Sequence, residues 1–203
     1  MIKITLCNKK LGGTTPQISL PAGITCRKNA PCAKGCYAKK GTFTYKNVKE
    51  SHRINFEEFS QSPQEYFNQV VDYLQNGDII YKYFRWHVSG DIINLDYLKG
   101  MVETAKKCKN TKFLAFTKRF EIVNEYLDNG GKIPSNLKIV YSNWGKLFQC
   151  KNPYDLPTTD VIFKNDILNT KFSKNDPICN GDCKNCRICW NLKKGQQVLF
   201  HEH

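Results

Sequence analysis

The sequence predicts an α/β fold: a partial parallel (βα) barrel of about six units, with a cysteine-rich metal-binding segment at its C-terminal end. Three observations carry this expectation. From residue 81 onward, short apolar runs alternate with amphipathic helical stretches, and each run ends in a polar tip. A loop with Cys26, Cys32 and Cys36 follows an early strand-like run. The 203 residues can bury a sizeable core but are short for eight complete barrel units. Residues 1–170 are expected to form the barrel, and residues 171–203 the cysteine-rich segment and the last strand.

Residues 2–6 alternate apolar and polar, residues 11–15 form a Gly-rich turn, and residues 17–20 resume a strand. After the cysteine loop, residues 43–59 become helical, with Val48, Ile54, Phe56 and Phe59 among charges. Ser62 is a good N-cap, Pro63 suits the first helical position and Glu65 completes a capping box. Tyr66, Phe67, Val70, Val71 and Leu74 supply that helix's apolar face, and Asn76 and Gly77 end it. Residues 81–88 read as a strand tipped by Ser89, Gly90 and Asp91, and residues 95–108 as a helix. Residues 113–116 form a strand tipped by Thr117, Lys118 and Arg119, followed by a helix over 120–127. Residues 137–141 are tipped by Ser142, Asn143 and Trp144, and residues 161–163 by Lys164, Asn165 and Asp166. Residues 197–200 make the last strand. In parallel βαβ units such tips share one face, where α/β proteins keep their active sites.

Composition narrows the function class. Hydrophobic residues are 40% and aromatics 12%, a globular profile. Lys and Arg number 31 against 18 Asp and Glu, and a formal charge of +13 favours a polyanionic partner, nucleic acid first. The N-terminus is too short and polar for a signal peptide, and no apolar run reaches membrane length. A cytoplasmic protein is expected, in which ten cysteines point to metal rather than disulfides.

Cys26, Cys32 and Cys36 are separated by five and then three residues, so three thiolates can converge on one centre. A closed zinc site wants four ligands, whereas three leave a position open; a distant ligand would instead complete a structural knuckle. Cys179, Cys183, Cys186 and Cys189 place four thiols within eleven residues. This spacing is more like a ferredoxin segment than a zinc ribbon, and it suits an auxiliary cluster, a structural zinc knob, or ligands split between two centres. Cys7, Cys108 and Cys150 are further candidate ligands, and a lone buried Cys is equally a small hydrophobe. His87 suits an acid–base group, a ligand or a core residue, and Asp91 a nucleophile or general base. Lys118 and Arg119 suit a phosphate or carboxylate contact. Lys39, Lys40, Lys46, Lys49 and Arg53 lie near Phe43 and Tyr45, a mix that fits single-stranded nucleic acid, a flipped base, or a solvated helix face. His201 and His203 read as a frayed end.

The order of strand, cysteine loop ending in Cys36-Tyr37-Ala38, Ser89-Gly90-Asp91 tip and Thr117-Lys118-Arg119 tip resembles a compact radical S-adenosylmethionine (SAM) enzyme. It is also similar to cysteine-rich phage proteins of the gene-product-88 type. The resemblance implies that Cys26, Cys32 and Cys36 hold a [4Fe–4S] cluster whose remaining iron takes SAM. It implies that Ser89, Gly90 and Asp91 meet the SAM amino group, with Tyr37 beside the cofactor. Catalytic roles then fall to Asp91, His87 and Lys118, a reductant protein supplies the electron, and nucleic acid in a host cytoplasm is the substrate class. Two departures are visible: that family's gaps are three and two, and its aromatic residue precedes the third Cys, whereas Tyr37 follows it. The alternative enzyme is a zinc-containing nucleobase-modifying barrel similar to 7-deazaguanine transglycosylases, with Asp91 as nucleophile or base reader. The third reading is a non-catalytic nucleic-acid-binding protein stabilised by metal.

Overall fold

The computed structural model describes residues 1–6, 8–77 and 79–202. Seven strands form one sheet in chain order: β1 (Ile4–Thr5), β2 (Gln17–Ile18), β3 (Tyr83–Trp86), β4 (Lys112–Thr117), β5 (Leu137–Ser142), β6 (Thr158–Ile162) and β7 (Gln197–His201). β1 runs antiparallel to β2, and every later neighbour is parallel. Sequential parallel pairing is the winding of a (βα) barrel. Among the described residues β1 and β7 are the two ends of the row, so the sheet is not a closed barrel. It is nonetheless strongly curled. The rings of Phe116 on β4 and Phe200 on β7 stand 5.8 Å apart, centroid to centroid. Three strand spacings would hold them ~14 Å apart in a flat sheet.

The convex face carries the helices α1 (Lys46–Gln61), α2 (Pro63–Gln75), α3 (Leu95–Lys107) and α4 (Phe120–Asp128). Alternate strand residues face them, as the two-residue period requires. Phe84, Trp86, Phe113, Ala115, Ile139 and Tyr141 pack with Tyr66, Phe67, Val70, Tyr97, Leu98, Met101 and Val123 in the main core. Gly100, in the middle of α3, forgoes about 1 kcal/mol of helix propensity. A methyl group there would collide with the Phe67 ring, so the glycine sets how closely α3 lies on α2.

The concave face is covered by the cysteine-rich segment, which carries two single-turn helices, α5 (Cys183–Cys186) and α6 (Ile188–Asn191). Leu114 and Val140 meet Trp190, Leu192 and Leu11 there. This segment also spans the gap between the two ends of the curled sheet. At one end the Leu199 N–H of β7 donates to Pro177 O (2.9 Å) and the Cys179 N–H to Leu199 O (2.8 Å). At the other, Arg187 Nη1 donates to Thr15 Oγ1 beside β2 (2.9 Å). The chain is therefore joined to the sheet on both sides of these four cysteines, by Ile178, bridged to Leu199, before them and by β7 after them.

Several elements differ locally from the sequence expectation. Helix α1 starts at Lys46 because residues Gly41–Thr44 form a separate 3-10 turn. Ser62 makes no side-chain cap, so the expected capping box with Glu65 does not form. Ser62 is the single residue between α1 and α2: its N–H donates to Glu58 O and its O accepts from the Tyr66 N–H, so backbone does the work of the cap. No helix joins β5 to β6, and β6 begins at Thr158 because Thr158–Asp160 pair with Gln197–Leu199. No helix among the described residues is long and apolar enough to cross a membrane.

Candidate functional site

The polar strand tips meet at the carboxyl ends of β3, β4 and β5. β3 ends where His87 takes a left-handed conformation (φ +52°), and Gly90 follows at φ +82°. A side chain on Gly90 would meet Thr25 Oγ1 at 2.6 Å and Leu20 Cβ at 2.7 Å, so only glycine fits against the base of the cysteine loop. Ser89 Oγ donates to Leu20 O (3.0 Å), the Leu20 N–H donates to Ser89 O (2.9 Å) and the Asp91 N–H donates to Thr25 Oγ1 (3.1 Å). The tip of β3 and the start of the cysteine loop are thus one unit.

Asp91 is 6% exposed. Its carboxylate accepts from Thr117 Oγ1 (2.6 Å), the Lys118 N–H (2.9 Å) and the Ile92 N–H (2.8 Å), which ties β3 to β4. Burial raises its pKa above the ordinary carboxylate value, and these donors with the Lys118 charge oppose the rise. Lys118 Nζ donates to Ser142 Oγ (2.6 Å) and lies 5.3 Å from the Trp144 ring centroid, which carries the network to β5. Arg119 Nη1 donates to Thr25 O (3.3 Å) and its Nε to Glu121 (2.8 Å), so this cation props the loop.

The first three cysteines share this neighbourhood. Burial raises the Cys26 thiol, the Gly23 N–H at 3.4 Å lowers it, and Asp91, Cys36 and Cys32 raise it further. Burial also raises Cys32, while Lys118 draws it down. All three cysteines are half-buried. Tyr37 follows them: its hydroxyl donates inward to Val88 O (2.5 Å), while the residue stays 44% exposed. Cys150 joins from the β5–β6 connection, its N–H donating to Asn143 Oδ1 (2.9 Å). Its thiol is pushed up to about 12 by burial, with Lys118, Asp91 and Arg27 as charged neighbours.

The second set lies on the concave face. Cys183 and Cys189 pack against the Leu114, Val140 and Trp190 cluster, Cys179 Sγ accepts from the Gly181 N–H (3.4 Å) and Cys186 is exposed. Burial raises the Cys183 and Cys189 thiols, and Arg85 is the first charge that draws each down. Among the described residues no group of three or more His, Cys, Asp or Glu side chains is arranged closely enough to hold a metal ion.

The family model of gene product 88 matches residues 3–192. The chain belongs to the gene product 88 family. The matched span takes in both cysteine segments and the strand tips. No curated protein and no solved structure matches the chain.

Within this gene product 88 fold, the other residues singled out from sequence are dispersed. His87 is buried with Nε2 3.0 Å from the Tyr97 hydroxyl, which is itself 2.9 Å from the Tyr66 hydroxyl, and its Nδ1 has no hydrogen-bond partner among the described residues. Burial and Arg85 depress its pKa to about 3, so it is neutral. Lys39, Lys40, Lys46 and Lys49 are exposed around the end of the cysteine loop, whereas Arg53 is bonded to Glu50 and Glu57 of its own helix. Cys108 lies in the main core with its thiol pushed up to about 11. Lys164, Asn165 and Asp166 are exposed and stand apart from the network. Cys7 and His203 lie outside the described residues. Sequence reasoning missed Thr25 and Arg85, and gave Cys150 only as a further candidate ligand. None carries a local signal, because each acquires its neighbours from segments far along the chain.

Proposed function

We propose that this protein is a metalloenzyme of the radical SAM type that modifies nucleic acid. Its reactive centre is at the carboxyl ends of the parallel strands. The observation that carries the reading is the placement of the Cys26–Cys36 loop on the tips of β3 and β4, in the field of Asp91 and Lys118. By type the donors are those an iron–sulfur cluster takes, three soft thiols on half-buried residues that would leave one iron open, but in this structure they do not converge closely enough to hold a metal ion. Such a cluster with SAM would supply one-electron chemistry.

The chain's own part is to hold, orient and balance charge. The Lys118 ammonium offsets thiolate charge beside Cys32. Asp91 locks the two tips on which the loop rests. The Tyr37 hydroxyl, fixed to Val88 O, pins the chain just beyond Cys36. Exposed Lys34, Lys39, Lys40, Lys46 and Lys49, with Tyr45 59% exposed among them, offer phosphate contacts and a stacking ring beside the same loop. The three bonds that Asp91 accepts engage both its oxygens, which tells against Asp91 as the nucleophile of the zinc transglycosylase reading and equally against it as the contact for the SAM amino group.

The test is anaerobic reconstitution followed by iron and sulfide analysis, a visible spectrum, and incubation with SAM and a reductant. The reading expects iron with matching sulfide, a broad visible band and 5′-deoxyadenosine. Colourless protein with stoichiometric zinc under the same conditions overturns it.

A further inference from the structure

The amino ends of the central strands carry a cationic rim, at the end of the sheet opposite the cysteine loop. Lys82 precedes β3, Lys112 opens β4 and Lys138 is the second residue of β5. Lys118 lies beyond the far end of β4, so about 20 Å of strand separates the rim from the polar tips. Lys112 and Lys138 alternate with Phe113, Leu137 and Ile139 of the main core, so both side chains leave the sheet on its concave side. Lys138 pairs in register with Leu114, which makes it the diagonal neighbour of Lys112. Lys112 Nζ donates to Asn191 Oδ1 (2.8 Å), and Asn191 Nδ2 donates to Arg187 O (2.9 Å). The Arg187 guanidinium carbon stands 4.4 Å from the Tyr83 ring centroid, and Lys82 Nζ stands 6.0 Å from the same centroid. Contacts through Tyr83 and Asn191 thus join three cations, and the register sets Lys138 beside them. Among the described residues none of the four forms an ion pair with a carboxylate. Asp182, an acidic residue of the segment that carries Arg187, is engaged by the N–H and side chain of Asn185. Like charges on neighbouring strands repel, and burial with the Lys112 charge lowers the Lys138 pKa. The fold gains no internal pairing from this grouping, whereas an anion laid across it would be held by all four.

We propose that Lys82, Lys112, Lys138 and Arg187 form a second nucleic-acid surface, which holds phosphate backbone at the end of the sheet away from the strand tips. The proposal rests on the reading of nucleic acid as the partner and is independent of any metal. Lys82 and Lys112 are exposed and Lys138 and Arg187 half-buried, so the charge faces outward from a fixed base. The Tyr83 ring is already taken by Arg187, Lys82 and the edge of Trp190 (5.6 Å between centroids), which leaves the rim without a stacking platform. Charge without stacking or base-edge readout recognises phosphates and not sequence. Charge density selects the polyanion. Three consecutive strands span about 10 Å, and one nucleic-acid strand carries a phosphate about every 3.4 Å. An extended acidic peptide offers carboxylates on one side only about every 7 Å.

The experiment uses the full chain and the fluorescence anisotropy of a labelled single-stranded DNA of roughly 30 nucleotides over a salt series. Lys82→Gln, Lys112→Gln and Lys138→Gln together should weaken binding about tenfold or more at about 0.1 M salt and lower the log–log salt slope by about two. Arginine at the same three positions should keep the parent's slope. Lys3→Gln, Lys99→Gln and Lys106→Gln together remove the same formal charge from cations elsewhere, two of them paired with Asp96 and Glu103, and should also keep it. If the triple rim variant does not fold, Lys82→Gln with Lys112→Gln should lower the slope by about one and a half. A rim variant with the parent's affinity and slope overturns the inference, and so does an equal loss in the charge-matched control. A rim variant that keeps DNA binding but loses binding to poly-glutamate assigns the rim to an acidic protein and overturns it too. Loss confined to a Lys39→Ala, Lys40→Ala and Lys46→Ala variant overturns the inference alone. A parent that binds no DNA at low salt overturns both the inference and the nucleic-acid reading beneath it.

Discussion

At the scale of single residues, Asp91 and His87 have opposite situations. Asp91 is buried but bonded on both oxygens, so its carboxylate holds the Thr117 hydroxyl and two backbone N–H groups. Asp91→Ala leaves those buried donors unpaired and should cost about 3 kcal/mol in urea denaturation. Unchanged stability would mean that Asp91 is there for a ligand and not for the fold. His87 is buried and neutral, with a folded pKa near 3 against the ordinary 6.5. Between those values the folded state binds fewer protons than the unfolded chain. The stability it contributes is therefore complete above about pH 6.5 and lost as pH falls toward about 3, about 5 kcal/mol at most. His87→Asn keeps a residue that tolerates the left-handed backbone and should flatten that part of the pH–stability curve. An equally steep acid limb in the variant would assign the loss to other groups.

At the scale of elements, the cysteine-rich segment acts as the seam of the curled sheet. Trp190 is 4% exposed and packs on Leu114 and Val140, so Trp190→Ala should cost about 3–5 kcal/mol by thermal or urea unfolding. If the four-cysteine segment holds a metal, Cys183→Ser should lower metal content and stability together, because ligand binding and folding would be coupled. Full metal content in that variant would remove Cys183 from the ligands. The sequence made some elements legible and hid others for physical reasons. Helices α2, α3 and α4 were readable because each carries a regular apolar stripe, and β4 and β5 because both are short and almost wholly buried. β6 was harder: it opens Thr158-Thr159-Asp160, polar residues whose burial is offset by long-range partners. Asp160, for instance, accepts from the Gly145 N–H, Gln149 and Thr170. The three-cysteine loop was recognisable from spacing, but its seat on Thr25, Ser89 and Asp91 was not, since those bonds span more than sixty positions. That the four-cysteine segment would lie across the concave face was equally hidden, because Arg187 meets Thr15 from the far end of the chain.

At the scale of the molecule, exposed lysines follow the first three cysteines closely along the chain. The chain carries a formal +13, and Lys34, Lys39, Lys40, Lys46 and Lys49, in the cysteine loop and the start of α1, are exposed. Binding to single-stranded DNA or RNA should weaken steeply with salt, because each phosphate contact releases counterions. Replacing Lys39, Lys40 and Lys46 by Ala should reduce the log–log salt slope by about two for single strands. Salt-independent binding, or none at low salt, would remove nucleic acid as the partner. The central claim is that Cys26, Cys32 and Cys36 form an open reactive centre mounted on a core built elsewhere. It is tested most directly by iron content and Tm of anaerobically reconstituted Cys26→Ser, Cys32→Ser and Cys36→Ser, each beside the parent. The account predicts that every variant loses the iron of one cluster while its Tm stays within a few degrees, about 1 kcal/mol. Variants that keep their iron, or that unfold as they lose it, would contradict an open centre at the strand tips.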